Sequence, residues 1–285
     1  MAKIYKSNFL KMLMQGSLAI SLCCLLACSG GAQSMLQSTP PQEPLFTLPG
    51  KHKLFAVDNL QNLYVLSSQN EVVKYTPDGQ QQFTYPNSTL GSIASIDASN
   101  PLLIMLFFPD YQNVLLLDRT LSAAGQFNLF RAGLLQVSAV GMASDNRLWA
   151  YDATTFQLKK IEQDGQVLFE STDLSLELGR SIKPVRIFER NQTVFLCDPN
   201  EGVLLFDVFG RYVKTLELKG ISDCQVLGDE LYFLEKGKLK SFNLKSLTGR
   251  NLQLPEGLHN PKQVRIVSDR LFVLDDEGIK VFRLE

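Results

Sequence analysis

The run from Asn62 to Gln80, NLYVLSSQNEVVKYTPDGQ, sets the pattern for most of the chain. Leu63, Tyr64, Val65 and Leu66 are apolar without a break, as in a strand buried on both faces. Val72 to Tyr75 reads as a second strand. Pro77, Asp78 and Gly79 then read as a tight turn, because proline presets φ and glycine accepts positive φ. The first strand returns at Arg147–Ala150, Thr193–Leu196, Glu230–Phe233 and Arg270–Val273, with a degenerate hydrophobic copy at Leu102–Phe107. The turn glycine is expected at Gly79, Gly125, Gly165, Gly210 and Gly249, spaced 46, 40, 45 and 39 residues apart. That period favours four-stranded blades over helical arrays of about 33 residues.

Leu45 to Leu48 is similar to the outer strands that follow the turn glycines, while the last unit, Lys262 to Glu285, holds only three strands. An N-terminal strand completing that last blade closes the ring and removes exposed sheet edges. The expectation is an all-β, six-bladed β-propeller of four-stranded antiparallel blades. The blades are expected at residues 53–86, 92–130, 137–170, 183–218, 222–254, and 262–285 joined by 45–48.

Ahead of the repeat the pattern changes. Lys3, Lys6 and Lys11 precede an apolar run from Met12 to Leu26, too short and wrongly flanked for a spanning helix. Leu25-Leu26-Ala27-Cys28 followed by Ser29-Gly30-Gly31 resembles a bacterial lipobox, which implies cleavage before Cys28 and acylation of that cysteine. A plain secretory signal cut at a nearby small residue is the alternative. The expected organisation is a signal peptide over 1–27, the lipidated cysteine and a flexible linker over 28–44, and the propeller over 45–285. The Ser, Gly, Gln, Thr and Pro content of the linker suits a tether of roughly 20 Å average reach. By analogy with lipoprotein sorting, Ser29 after the cysteine favours the outer membrane, and the lack of an acidic run favours its periplasmic side.

Without the leader, 25 basic residues face 29 acidic ones, a net charge of −4 that is no footprint for nucleic acid. Only Cys197 and Cys224 remain in the body. They read as two buried free thiols, with pairing in an oxidising periplasm the alternative, since sequence does not set the distance between them.

The order of apolar strand, polar turn, apolar strand and turn glycine resembles NHL-type six-bladed propellers over residues 45–285. Tyr151-Asp152-Ala153-Thr154-Thr155 is similar to one turn of the quinoprotein-like propellers of outer-membrane assembly lipoproteins, although Phe156 and Ile161 stand where that family has Gly and Trp. The resemblance implies a lipid-anchored propeller of the kind common in Bacteroidetes-like envelopes.

Catalytic signatures are scarce. There is no phosphate-binding Gly-rich loop, Cys-x-x-Cys or Gly-x-Ser-x-Gly, and two histidines leave little material for a triad or a multi-histidine metal site. Metal-dependent lactonases and lyases use six-bladed propellers with carboxylates at the channel mouth. Asp58, Asp97, Glu189 and Asp223 are therefore the candidates for holding a divalent cation such as calcium. Aspartate before a polar turn also bonds the turn's own backbone, which is the reading preferred here.

The connections entering the blades carry Lys51, His52, Lys53, Arg180, Lys183, Lys219, His259 and Lys262, with Arg186 and Arg265 on the inner strands beside them. Turns further out on the same face carry Asp152, Asp198, Glu201, Asp275, Asp276 and Glu277. The expectation is a basic centre inside an acidic rim, suited to an acidic partner segment or another anion. Phe107, Phe108, Tyr111, Leu134 and Leu135 form a second candidate contact, or else core. Two functions follow: a non-catalytic binding or scaffold subunit without cofactor, acting on a protein partner in an envelope complex, or a metal-dependent lactonase- or lyase-like enzyme.

Overall fold

The computed structural model describes residues 43 to 284 apart from Ser88 and Ser222; the expected signal segment, Cys28 and nearly all of the linker lie outside the described residues. Among the described residues the first strand is β1 (Phe46–Pro49), and blade 1 follows, made of β2 (His52–Val57), β3 (Leu63–Ser67), β4 (Val72–Tyr75) and β5 (Gln81–Tyr85). Blade 2 is β6 (Ser95–Asn100), β7 (Leu103–Phe108), β8 (Asn113–Leu117) and β9 (Ala123–Asn128). Blade 3 is β10 (Val137–Met142), β11 (Leu148–Asp152), β12 (Gln157–Ile161) and β13 (Val167–Glu170). A short helix, α1 (Leu174–Leu178), leads into blade 4, made of β14 (Arg186–Arg190), β15 (Thr193–Asp198), β16 (Gly202–Asp207) and β17 (Tyr212–Leu216). Blade 5 is β18 (Cys224–Leu227), β19 (Glu230–Glu235), β20 (Lys238–Asn243) and β21 (Gly249–Asn251). Blade 6 is β22 (Gln263–Val267), β23 (Arg270–Leu274), β24 (Gly278–Arg283) and the returning β1. The expected six-bladed architecture is therefore the observed one.

Burial explains the strand composition. Each second strand lies between its neighbours in the blade and between two blades. Leu63, Tyr64, Val65 and Leu66 of β3 are accordingly all buried, as are Ile104 to Phe108 of β7. Each fully buried side chain of this kind contributes roughly 1.5–3 kcal/mol of transfer free energy. The outermost strands β5 and β21 are almost wholly exposed and correspondingly polar. Phe107, Phe108 and Leu134 are core, whereas Tyr111 and Leu135 reach solvent, so the second candidate contact divides between the two readings.

The turn glycines need one correction. Gly79, Gly165 and Gly210 do sit at positive φ in the turn before the outermost strand. In blades 2 and 5, however, Leu121 and Leu247 hold that position, at φ 60° and 57°, while Gly125 and Gly249 belong to the following strand. Leu121 has a compensating gain, since its side chain is buried in the core between blades 1 and 2. Sequence spacing could not separate a turn glycine from a strand glycine two or four residues away.

Ring closure depends on β1. Phe46, Thr47, Leu48 and Pro49 pair antiparallel with Val281, Lys280, Ile279 and Gly278. Gly278 has φ 149°, and a Cβ there would lie 2.2 Å from the Leu48 carbonyl oxygen. The alanine variant Gly278→Ala is expected to lower Tm by about 5 °C or more through overpacking at the seam. Gly249→Ala, whose added carbon meets nothing nearer than 3.7 Å, should stay within about 2 °C of the parent. Equal melting temperatures for the two variants, measured by calorimetry, would show that the seam tolerates the extra carbon.

Candidate functional site

The inner strands run between two faces, so their first residues stand at one mouth of the central channel and their last at the other. Lys53, Ser95, Arg186 and Gln263 are near the mouth on the face that carries the blade-to-blade connections; Val57, Asp97, Glu189 and Arg190 lie towards the opposite end. All of them line a cavity of about 310 Å³. That volume is at the small end of ligand-binding cavities.

The connection mouth is organised by Asp223, which stands just ahead of β18. It accepts two parallel hydrogen bonds from Arg265, Nη1 to Oδ2 at 2.7 Å and Nη2 to Oδ1 at 2.8 Å, and it also pairs with Nη1 of Arg186. Arg186 lies over the Phe188 ring at 5.3 Å, and Arg265 donates further to the Val264 carbonyl. One carboxylate thus bridges blades 4, 5 and 6. Burial alone would raise the Asp223 pKa, but the Arg186 and Arg265 guanidiniums outweigh it and hold the group below the usual carboxylate range. Around this mouth Lys53, Arg186, Lys262 and Arg265 face a single lining carboxylate, Asp223, and Lys262 also pairs with Asp276 outside at 2.6 Å.

The structure thus brings Lys53, Arg186, Lys262 and Arg265 together at the channel mouth. It does not bring the other expected face residues there. Arg180 pairs with Glu201, and His259 approaches Glu277 at 3.5 Å. The Lys183 backbone N–H donates to Asp198, while its side chain, like those of Lys51 and Lys219, is exposed with no carboxylate within 4 Å among the described residues. His52 has both ring nitrogens shut away from solvent without a hydrogen-bond partner among the described residues. Burial pushes its pKa below the ordinary value, so the ring is neutral near pH 7. The rim also differs from expectation. Asp152, Asp198 and Asp275 are buried, and each accepts backbone N–H groups of its own turn. The expected basic residues thus divide among the cationic channel mouth, ion pairs further out and exposed lysines.

The four candidate metal ligands are separated by their partners. Asp58 is buried in the β2–β3 turn, away from the connection face, and accepts from the Leu60 and Asn62 backbones, the Asn62 amide and the Tyr64 hydroxyl. Asp97 accepts from the backbones of Ser99 and Met142. Glu189 accepts from the Ser144 hydroxyl at 2.5 Å and the Trp149 indole N–H at 2.7 Å, tying blade 3 to blade 4. Asp223 is held by its two arginines. Among the described residues, no three His, Cys, Asp or Glu side chains stand close enough together to hold one metal ion. The contacts that Gln225 and Gln263 on inner strands and Gln112 in the turn ahead of β8 make to neighbouring blades were invisible in sequence, because glutamine carries no distinctive spacing in either setting.

Comparison with solved structures adds the wider setting. Virginiamycin B lyase from Staphylococcus aureus superposes with a TM-score of 0.58 at 13% identity, over 84% of this chain and 83% of that one. The WD40 domain of Pan2 from Neurospora crassa gives 0.57 at 12% identity, over 82% and 76%. The likeness is one of fold. BamB from Moraxella catarrhalis is looser, with a TM-score of 0.46 at 12% identity over 78% and 70% of the chains. No family description matches the sequence, and no curated protein does.

The bridging carboxylate gives a direct test. Asp223→Asn leaves Arg186 and Arg265 facing each other uncompensated. About a quarter of the Asp223 side chain remains exposed, so screening reduces the expected cost from that of a buried pair to about 2 kcal/mol at pH 7. Because the folded pKa is depressed, this stabilisation is fully present above about pH 3.9, the unfolded value, and is lost as pH falls through the lower folded value. Denaturant titrations of parent and variant should therefore differ at pH 7 and converge on acidification. A constant difference down to pH 2 would contradict the assignment.

Proposed function

We propose that the protein is a non-catalytic binding subunit of the bacterial cell envelope, held by a lipid on Cys28 to the periplasmic side of the outer membrane. In this reading it receives an acidic segment of a protein partner on its connection face. The observation that carries this reading is the coincidence, on one face, of the cationic channel mouth with exposed apolar side chains. Tyr111, Phe130, Leu135, Leu176 and Val185 are all exposed, and all lie in the turn or connections of blades 2 to 4 on that face. Aromatic and aliphatic anchors beside a complementary charge are what a protein interface uses for affinity and orientation. The inner-strand carboxylates meanwhile hold the blades together, and a rigid frame presenting loops is suited to association without a covalent step. The metal-dependent enzyme reading requires those carboxylates to leave their present partners, and no observation favours it.

The test is affinity purification of the full chain from gently solubilised native membranes, beside a Lys53→Glu, Lys262→Glu, Leu135→Glu variant whose melting temperature matches the parent. A defined protein recovered in stoichiometric amount with the parent and reduced at least tenfold with the variant is the expected result. Equal recovery from both would remove the connection face from the interaction, and a stoichiometric divalent cation in the purified chain would favour the enzyme reading. Intact mass of the membrane-extracted protein should show acylation that Cys28→Ala abolishes.

A further inference from the structure

Cys197 and Cys224 are the two cysteines of the described chain, and both are buried and unbonded. Cys197 lies in β15, the second strand of blade 4, and Cys224 opens β18, the inner strand of blade 5. Their Sγ atoms are 3.1 Å apart. That is inside ordinary sulfur contact and about 1 Å longer than a disulfide bond. The pair sits in the apolar layer between the blades, with Phe195, Val203, Leu205 and Val226 in the same cluster. The two thiols differ in access. Cys224 is among the residues lining the central cavity, whereas Cys197 lies behind it.

The surroundings tie this pair to the channel mouth. Arg186 is the cross-strand partner of Cys197, and Asp223 immediately precedes Cys224. The Arg186–Asp223 ion pair and the thiol pair therefore join the same two blades side by side, the ion pair from β14 and the thiol pair from β15.

We propose that Cys197 and Cys224 are an oxidation site that closes into a disulfide between blades 4 and 5, with a low-molecular-weight or protein disulfide as the oxidising co-substrate. The Cys224 thiolate, reached from the channel, attacks one sulfur of the oxidant R–S–S–R. A mixed disulfide forms and one RS⁻ leaves, taking up the proton lost from Cys224. The Cys197 thiolate then attacks the Cys224 sulfur, expelling the second RS⁻, which takes up the proton lost from Cys197. The sum is two protein thiols and one oxidant disulfide giving one protein disulfide and two RSH. The hydrogen bond with Cys197 and burial together push the Cys224 thiol well above its ordinary pKa, so exchange into the folded ring is slow and closure during folding is fast.

The bond would close a loop between positions 27 residues apart, which restricts the unfolded chain. For a domain of this size the corresponding rise in Tm is about 10 °C.

The experiment uses the full chain, once folded and incubated and once refolded from denaturant, in an oxidising buffer of reduced and oxidised glutathione. Free thiols are then alkylated under denaturing conditions and the chain is cut with trypsin. The expected product is the peptide 191–211 joined to the peptide 220–236, quantitative after refolding and slower to appear in the folded arm. Its appearance should accompany the rise in Tm, reversed by a strong dithiol reductant. Two alkylated cysteines in the refolded arm, or glutathione on each cysteine without the joined peptide, would overturn the proposal. The order of attack is read from single variants, which do not depend on the cross-link. Cys197→Ala should collect glutathione on Cys224 faster than Cys224→Ala collects it on Cys197, and the reverse ranking would overturn the assignment of Cys224 as the entry thiol.

Discussion

The constraint on which the rest of this structure depends is the open edge of each blade's inner strand. Around a channel those edges face one another at an angle and cannot continue a common ladder, so backbone N–H and C=O groups need other partners. Here side chains supply them. The Gln263 amide donates to the Phe55 carbonyl and accepts from the Phe55 N–H, joining blade 6 to blade 1. Gln225 does the same for Ile266 across blades 5 and 6, and Gln112 for Val137 across blades 2 and 3. Asn70 holds the Ile93 N–H and the Gly91 carbonyl between blades 1 and 2. An amide side chain presents one donor and one acceptor with nearly the geometry of a peptide group, and this is why it recurs at these junctions.

The remaining junctions use other means. Between blades 3 and 4 the backbones approach so closely at Gly141 that a Cβ would lie 2.4 Å from the Ile187 carbonyl oxygen, and the Ser138 hydroxyl reaches the Pro184 carbonyl. Between blades 4 and 5 there is the Arg186–Asp223 pair. Several side chains that sequence reading places among catalytic or ligand candidates are consequently spent on holding neighbours in place. Asp97 and Glu189 are of this kind, both bonded to blade 3, Asp97 from blade 2 and Glu189 from blade 4. The channel mouth is where structural and interactive roles overlap, because the same arginines that grip Asp223 leave a cationic surplus facing the cavity.

The apolar interior is divided to match. Each core cluster draws on two adjacent blades, so the folded ring is a cycle of pairwise interfaces. Opening any one interface of such a cycle exposes two apolar sheet faces at once. The pairing of β1 with β24 joins residues from opposite ends of the propeller, a contact that carries a large loop-closure cost.

What the sequence by itself determined is whatever repeats. Buried second strands, their spacing and the missing fourth strand of the last unit all follow from local burial and chain continuity, so six blades and their closure by a strand over Leu45–Leu48, offset by one residue from the observed Phe46–Pro49, could be read without coordinates. The same reasoning put Lys53, Arg186, Lys262 and Arg265 near one face, because strand direction alone assigns a residue to one mouth of the channel. Only the tertiary structure decided which charges remain available there. Whether Arg180 meets Glu201, whether His52 is shut away from water, and whether Cys197 lies beside Cys224 depend on distances between blades. Those distances are set by side-chain packing at the interfaces, and residues close across an interface bear no fixed relation in sequence.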